Sequence, residues 1–329
     1  MYDVVTVGSS TVDVFARSKT SELIKMIDSK GEKDLLAYPT GAKILIEELN
    51  FSTGGGATNT AVSFARLGLK VACISKIGSG PNADLVTADL KKEKVDTSLL
   101  VRDKSGRTGY SIILDSIEHD RTILAFKGSN DNLIFSEIKL NKLKTRWFYF
   151  SALLEESFNT LEKLAKFAEK KNINIVFNVS EYLASKGANF LKEILKRTEI
   201  FVLNKDEAKL IVSGNDIKDL LVQIHKLGPR IVVITDGKKE VDAFDGTFIY
   251  SFIPTNIKIV ETTGAGDAFA SSFLTGMIKR NNIEFALKLA SANSESVIQH
   301  HGAKNKLLTF NEALKIIKAV NLKVKKKKV

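Results

Sequence analysis

The sequence predicts a three-layer α/β/α fold, in which a mostly parallel central sheet lies between helices and a small second β-sheet forms a lid. From Trp147 onward, short β-branched or aromatic runs alternate with helical patterns, which is typical of βαβ units. Two β-rich segments, about 14–53 and 100–128, interrupt this alternation and are predicted to form the lid together. No Pro- or Ser-rich linker divides the chain, so residues 1–320 are predicted to be one domain, followed by a basic tail at 321–329.

The first half of the chain contains the predicted start of the central sheet. Tyr2 to Val7 alternates weakly and is β-branched, which favours a strand, and Gly8 ends it. The apolar spacing of Ala57 to Leu67 favours a helix, with Gly68 as its C-terminal cap. The other elements predicted before Trp147 are strands at 43–49, 71–77, 108–114 and 121–127, and a helix at 81–93.

The second half contains most of the predicted helical layers. Trp147 to Phe150 is a dense aromatic strand, and 239–252 reads as a hairpin with Asp245-Gly246 at its turn. The remaining predicted strands are 173–179, 200–203 and 231–235. The predicted helices are 157–171, 187–196, 205–213, 216–227, 266–280, 283–300 and 310–320.

Composition indicates an ordinary globular protein. Apolar residues make up 44% and charged residues 26%, so a sizeable core is expected. The single Cys73 excludes an intramolecular disulfide, and its apolar neighbours indicate an inert residue in a buried strand. Neither a signal peptide nor an apolar run of about 18 residues is visible, so a cytoplasmic location without membrane insertion is expected.

The formal charge of +11 raises the alternative of nucleic-acid binding, because lysine clusters release counterions from phosphate backbones. Five lysines, however, lie in the last seven residues, and the others are mixed with acids along predicted helices. The pattern therefore favours a solvated tail and a generally basic surface, which would also steer an anionic nucleotide.

The segment Glu261-Thr262-Thr263-Gly264-Ala265-Gly266-Asp267-Ala268-Phe269 carries the clearest chemical signal. Its two glycines lie between a β-branched run and an amphipathic helix. Glycine tolerates positive φ, and a helix N-terminus adds unpaired N–H donors and a positive dipole end. The turn therefore indicates a phosphate site. Asp267 is either a base that deprotonates a hydroxyl attacking phosphorus or a helix N-cap.

This segment resembles the C-terminal signature of the ribokinase-like carbohydrate kinases, the PfkB family. The stretch Gly54-Gly55-Gly56-Ala57-Thr58-Asn59-Thr60-Ala61, followed by Ala65-Arg66-Leu67-Gly68, resembles that family's other signature. The resemblance covers roughly residues 2–315 and implies ATP-dependent phosphorylation of a hydroxymethyl group. It also implies that Asp267 is the catalytic base and that the amides of Gly264, Ala265, Gly266 and Asp267 form the anion hole.

The acceptor side is predicted around Thr11 and Asp13, because residues just beyond the carboxyl ends of parallel strands face the ligand crevice. Asp13 matches the family's substrate-binding Asp, and capping of a turn is the alternative. Thr11 stands where ribokinases carry Asn and Gly56 where they frequently carry Lys, so the resemblance leaves ribose itself open. The other predicted substrate contacts are Gly54, Gly55, Asn59, Asn130 and Glu155.

The nucleotide side is predicted where polar residues directly follow later strands. The resemblance implies that Asn204 and Glu207 position the ATP phosphates and hydrated Mg²⁺, with Glu207 acting through water. A capping box at the start of the next helix is a compatible alternative for this pair. The remaining predicted nucleotide contacts are Thr235, Gly237 and Gly302. There is no GxxxxGK[ST] motif, which excludes a P-loop enzyme.

Many relatives bind K⁺ beside the anion hole, and the resemblance implies Glu261 and the Thr263 backbone as ligands here. The acid is Glu where relatives have Asp, and Lys306 falls where a small Ser commonly stands. Three interpretations remain open: a bound K⁺, a Lys306 ammonium that replaces the ion, or a Lys306 side chain in solvent.

The sequence does not decide the acceptor. A sugar kinase is the leading hypothesis, a nucleoside kinase of the same family is the alternative, and a non-catalytic sugar or nucleotide sensor on the same fold is a third. A dehydrogenase is weakly supported, because a lone Gly8 follows the first strand instead of G-x-G-x-x-G. Lid sheets in this family often pair across subunits, so a homodimer through the lid is a further hypothesis.

Overall fold

The computed structural model describes residues 1–18, 22–28, 31–115, 121–214, 216–320 and 322–329. Within these ranges the central sheet has nine strands. In spatial order they are β17 (Lys325–Lys328), β16 (Phe248–Phe252), β15 (Val241–Phe244), β14 (Ile231–Thr235), β13 (Ile200–Asn204), β12 (Asn174–Asn178), β11 (Thr145–Phe150), β1 (Tyr2–Val7) and β6 (Val71–Ile74). Every pair from β6 to β14 is parallel, and the pairs from β14 to β17 are antiparallel.

Helices cover both faces of this sheet. They are α1 (Gly56–Arg66), α2 (Pro81–Lys92), α3 (Glu155–Lys170), α4 (Glu181–Ala184), α5 (Gly187–Leu195), α6 (Lys205–Ile211), α7 (Ile217–His225), α8 (Ala265–Arg280), α9 (Ile283–Ile298) and α10 (Phe310–Ala319). Phe148 and Phe150 pack on the face that carries α3, and Tyr149 packs on the opposite face against Phe64 of α1. Successive strand residues point to opposite faces, so an apolar strand such as β11 contributes to two cores. The predicted three-layer fold is confirmed.

A separate four-stranded sheet forms the lid. Its strands, in the order β10-β9-β2-β5, are β10 (Arg121–Phe126), β9 (Gly109–Asp115), β2 (Thr11–Arg17) and β5 (Glu48–Gly54). A hairpin of β3 (Glu22–Asp28) and β4 (Gly31–Ala37) lies between β2 and β5 in the chain. Only residues 8–10 separate β1 from β2, and β5 runs almost directly into α1. The lid therefore joins the central domain at the ends of β1 and α1.

Two predicted strands differ from the structure. The strand predicted at 43–49 begins only at Glu48, because its partner β2 ends at Arg17, opposite Glu48. The apolar residues 44–46 before it are therefore unpaired coil. The strand predicted at 71–77 is divided after Ile74, and its second part, β7 (Lys76–Ile77), pairs instead with β8 (Val101–Arg102).

The basic C-terminal segment is not a detached tail. Lys325–Lys328 pairs antiparallel with β16 while its side chains stay exposed. The ammonium of Lys326 lies 4.2 Å from the ring centroid of Phe248 and 5.1 Å from that of Tyr250. These cation–π contacts and the backbone pairing fix the segment, and lysines on an edge strand discourage further strand addition.

Cys73 is fully buried in β6, and desolvation raises the pKa of its thiol to about 12. This environment agrees with an inert core residue. None of the helices in the described ranges is long and apolar enough to cross a membrane.

Candidate active site

One glycine turn joins the lid to the central domain and lies beside two carboxylates. A Cβ atom placed on Gly54 would lie 1.9 Å from Oδ2 of Asp13, so only glycine fits there. A Cβ atom on Gly56 would lie 3.8 Å from Oδ1 of Asp267. Because consecutive Cα atoms are 3.8 Å apart, the Cα atoms of these two glycines lie within about 8 Å of each other. The Gly54–Gly56 turn therefore forms the floor of the candidate site, with the predicted carboxylate of Asp13 at one end and that of Asp267 at the other.

Asp267 lies in the first turn of α8, but it is not the helix cap. Gly264 occupies the N-cap position in a left-handed conformation with φ 80°, and no side chain caps the helix. Oδ2 of Asp267 instead accepts a hydrogen bond of 2.8 Å from Nδ2 of Asn59 on α1. Desolvation raises the pKa of Asp267 to about 6, and the Asn59 donor opposes that rise. This carboxylate is therefore a stronger base than an exposed aspartate.

The predicted anion hole requires one correction. The N–H of Ala265 donates to the carbonyl of Thr262 at 3.2 Å, so this amide closes the turn. In the described part of the chain, no acceptor is found for the N–H groups of Gly264, Gly266 and Asp267. A Cβ atom on Gly266 would meet nothing within 4 Å, so open space lies beside it. Three N–H donors without acceptors at a helix N-terminus, one of them beside open space, suit an anion.

The lid supplies and orients Asp13. Its side chain is buried, and its Oδ1 accepts a hydrogen bond of 2.9 Å from Oγ1 of Thr11. Ser111 of β9 lies opposite Asp13 in the sheet register. Desolvation raises the pKa of Asp13, whereas hydrogen bonds from Ser111 and Thr11 and the charge of Lys304 oppose the rise. Thr11 therefore orients the Asp13 carboxylate at the predicted acceptor site.

The two further predicted acceptor contacts are Asn130 and Glu155. Asn130 is buried, and its side chain forms a pair of hydrogen bonds of 2.9 Å with the N–H and C=O of Ser10. It also donates to the carbonyl of Lys127 at 3.0 Å. Asn130 therefore braces the β1–β2 connection beside Thr11, and its role as an acceptor contact stays a prediction. Glu155 is exposed at the start of α3, with the unusual φ of 49°.

Two serines support the glycine turn, and the sequence reasoning missed both. Ser9 accepts hydrogen bonds from the N–H groups of Gly56 and Ala57, through its hydroxyl at 3.2 Å and its carbonyl at 3.1 Å. Oγ of Ser151 would lie 1.8 Å from a Cβ atom on Gly8 and 2.6 Å from one on Gly56. Both serines lie within two residues of the end of a parallel strand, which is the same signal that predicted Asp13.

Four of the five predicted nucleotide residues, Asn204, Glu207, Thr235 and Gly237, lie at or just beyond the carboxyl ends of β13 and β14, whereas Gly302 lies in the loop after α9. Asn204 and Thr235 are opposite each other in the register of these strands. Asn204 and Glu207 form a reciprocal capping box with two hydrogen bonds of 2.8 Å, so the capping alternative is confirmed. A Cβ atom on Gly237, which has φ 57°, would meet nothing within 4 Å.

Glu207 lies in negatively charged surroundings. Desolvation raises the pKa of Glu207 to about 7, and the charges of Glu181 and Asp206 add to the rise. A carboxylate that is destabilised by neighbouring carboxylates is stabilised when a cation binds. Glu207 is suited to hold a hydrated Mg²⁺ through water. Among the described residues, no group of three or more His, Cys, Asp or Glu side chains could bind a metal ion directly.

Glu261 faces the loop after α9. Its Oε2 accepts a hydrogen bond of 2.9 Å from the N–H of Gly302 and lies 3.5 Å from Nδ1 of His301. Oγ1 of Thr263 is buried and has no hydrogen-bond partner within the described residues. The side chain of Lys306 is exposed, and its carbonyl accepts a hydrogen bond from Ser296. The roles of K⁺ and Lys306 stay predictions.

A cavity of about 600 Å³ lies between the lid and the anion-hole segment. Phe15, Asn50 and Ile113 line it from the lid, and Glu261 and Thr262 line it from the opposite side. Phe15 lies opposite Asn50 and Ile113 in the lid register, and Phe15 is two residues beyond Asp13. The lining residue Phe15 therefore lies on the same lid face as Asp13, although Asp13 and Asp267 do not themselves line this cavity.

The fold and these sites define an α/β phosphotransferase with a β-lid. Residues 22–309 match the family model described as pfkB family carbohydrate kinase. The chain therefore belongs to the PfkB family of carbohydrate kinases, and it is a sugar or nucleoside kinase that phosphorylates an alcohol group.

Three similar proteins show the range of this family. A cytidine kinase of Thermococcus kodakarensis is 31% identical over 285 residues, which cover 82% of this chain and 94% of that protein. The structure of Arabidopsis thaliana ribokinase complexed with ribose and ATP has a TM-score of 0.78 and 20% identity, covering 96% of this chain and 99% of that one. An E. coli chain solved with ATP and Mg²⁺ has a TM-score of 0.82 and 16% identity, covering 97% of this chain and 100% of that one. The last two likenesses show the fold.

Proposed function

We propose that this kinase transfers the γ-phosphoryl group of ATP to a hydroxymethyl group of a sugar acceptor, with Asp267 as the base. The observation that carries the proposal is the glycine turn, which packs against Asp13 at Gly54 and lies beside Asp267 at Gly56. A polyol bound to Asp13 through its hydroxyl groups would extend along this floor toward Asp267. Its terminal hydroxyl would then lie between the base and the amides of Gly264, Gly266 and Asp267.

The chain's own residues divide the work of the transfer. Asn59 holds the Asp267 carboxylate in place, and Asp267 accepts the proton from the attacking hydroxyl. The amides and the dipole of α8 stabilise the negative charge on the phosphoryl oxygens. Mg²⁺, held through Glu207, would neutralise phosphate charge. The phosphates themselves would lie near Asn204, Thr235, Gly237 and Gly302.

The pH dependence of the reaction tests the role of Asp267. Because the pKa of Asp267 is raised to about 6, the base is protonated below that pH. We expect kcat/KM to fall about tenfold per pH unit below about pH 6 and to be level above it. Asn59→Ala removes a donor that lowers this pKa, so it should move the acidic limb to higher pH.

Asn159→Ala is the matched control, because Asn159 is exposed on α3 and bonds only to Glu156 among the described contacts. It should leave the profile unchanged. An acidic limb near pH 4, or a limb that Asn59→Ala does not move, would contradict the role assigned to the pair.

A nucleoside acceptor is the second candidate, and the 600 Å³ cavity favours it. Phe15 and Ile113 offer an apolar wall next to the amide of Asn50, a combination that binds a planar base better than a free sugar. The relative named as a cytidine kinase is consistent with this alternative.

An ADP-release screen of sugars and nucleosides distinguishes the two acceptors. We expect turnover with one class and dependence on Asp13 in either case. Phe15→Ala should raise the KM for a nucleoside about tenfold or more through lost ring contact, and should change the KM for a small sugar little. Saturable acceptor binding without ADP release from any acceptor would support the non-catalytic sensor instead.

A homodimer through the lid stays a prediction. Leu49, Phe51, Ile112, Leu124 and Phe126 share one lid face by the strand register, and each is more than a third exposed. An apolar face of this size suits contact with a second copy of the chain.

A further inference from the structure

Lys304 is a buried lysine that joins three separate parts of the molecule. Its side chain is 12% exposed. Its Nζ contacts both Oγ1 of Thr53 on the lid strand β5 and Oδ2 of Asp89 on α2. Thr53 in turn donates a hydrogen bond of 2.5 Å to Asp89. These three side chains, the Lys304 cluster, therefore satisfy one another at the wall of a cavity of about 300 Å³, where Asp89 is 30% exposed.

Each end of the cluster is one residue away from a part of the proposed site. Thr53 precedes Gly54, the glycine whose Cα faces the carboxylate of Asp13. Lys304 follows Ala303, whose Cα would lie 2.6 Å from a Cβ atom on Gly264. The lid strand that positions the acceptor carboxylate and the loop that supports the anion-hole turn are thus linked through one ammonium group.

A second set of contacts fixes the same loop to the central domain. Arg66, at the end of α1, pairs with Glu93 at 2.6 Å and donates to the carbonyl of Leu307 at 3.1 Å. This set holds the far end of the loop without touching the lid. Among the described contacts of the 302–307 loop, the Lys304 cluster is the polar link to a lid residue.

We propose that Lys304 is a positioning residue, which fixes the acceptor carboxylate of Asp13 relative to the anion-hole turn at Gly264. The importance of this positioning for catalysis rests on the proposed function. In-line transfer requires the attacking hydroxyl and the phosphorus to be held at a short, defined separation, and small displacements are costly. Loss of the ammonium would free β5 to move relative to the 302–307 loop.

Hydrogen exchange tests the link without any requirement for activity. In Lys304→Met, the amides of residues 48–54 and 302–307 should exchange at least about tenfold faster. Opening of these segments costs less free energy in this variant, because the Lys304 cluster no longer has to be broken. Lys76→Met is the matched control. Lys76 is 7% exposed and pairs with Glu137, whose side chain is 31% exposed, much as Asp89, the partner of Lys304, is 30% exposed. It should destabilise the fold but leave exchange in residues 48–54 unchanged.

Kinetics test the positioning role. Lys304→Met should lower kcat/KM for the acceptor about 10²-fold, while the KM for ATP changes less than about twofold. The double variant Asp89→Asn/Lys304→Met leaves no unpaired buried charge, so its Tm should return toward the parent value. Its acceptor kcat/KM should remain low, because the lid is still unlinked.

Two results would overturn the proposal. One is exchange in residues 48–54 that changes no more in Lys304→Met than in Lys76→Met. The other is acceptor kcat/KM that returns together with Tm in the double variant, which is the behaviour of a purely structural ion pair. If no acceptor is ever phosphorylated, the proposed function fails while the exchange comparison still decides the link.

Discussion

Replacing Asp267 by Asn is expected to lower kcat by about 10²–10⁴-fold and to leave ATP affinity nearly unchanged. The Asn side chain can still interact with Asn59, but it cannot accept the hydroxyl proton. The anion-hole amides belong to the backbone, so the phosphate contacts should persist. Single-turnover measurement of phosphoryl transfer, with ATP binding measured separately, checks both parts.

The same substitution has an expected effect on stability that serves as a folding control. The folded-state pKa of Asp267, about 6, is above the ordinary value of 3.8. The folded protein therefore binds more protons between these values, and this group's contribution makes stability fall as pH rises through that range. At neutral pH, Asp267→Asn removes a desolvated charge, so Tm should not decrease.

Asp84→Asn is the matched comparison, because Asp84 also lies in the first turn of a helix and is 71% exposed. It should leave kcat unchanged and affect stability only slightly. A loss of less than tenfold in kcat for Asp267→Asn, or a response like that of Asp84→Asn, would show that Asp267 is an ordinary helix-terminal acid.

Replacing Gly264 by Ala is expected to lower kcat by about 10²–10³-fold, the range for loss of oxyanion donors. The added Cβ would meet the Cα, Cβ and carbonyl oxygen of Ala303 at 2.6–2.7 Å. Backbone atoms cannot move aside as a flexible side chain can, so the turn itself must shift. The shift would displace the amides of Gly264, Gly266 and Asp267 together.

Gly187→Ala separates this contact from backbone strain. Gly187 has φ 79°, nearly the same as the 80° of Gly264, but a Cβ atom there would meet nothing within 4 Å. Both substitutions should cost about 1–2 kcal/mol for a left-handed alanine. Only Gly264→Ala should lose activity in steady-state assays, and equal activities in the two variants would contradict the arrangement of the anion hole.

Local pattern was sufficient for much of the fold and for the two chemical segments. Apolar alternation and β-branching predicted β1 and β14 at their observed bounds, because each is a continuous strand in the parallel sheet. The glycine spacing before α8 predicted a turn that uses glycine's tolerance of positive φ, and Gly264 has φ 80° there. Such features are encoded within a few neighbouring residues, so they can be read from one sequence.

Features that depend on distant partners could not be predicted in the same way. Asn130 looked like a free polar side chain, but its partner is Ser10, which lies 120 residues away in the chain. In the sequence, Lys304 is a lysine in a polar loop, and nothing near it in the chain indicates its partners Thr53 and Asp89. The apolar residues 44–46 favoured a strand, yet the partner strand ends at Arg17.

A crystal structure with the identified acceptor and a non-hydrolysable ATP analogue tests the central claim most directly. We expect the acceptor's hydroxyl groups on Asp13, its terminal hydroxyl within hydrogen-bond distance of Asp267, and the terminal phosphate on the amides of Gly264, Gly266 and Asp267. An acceptor bound away from the Gly54–Gly56 turn, or a terminal phosphate that does not contact those amides, would contradict the account.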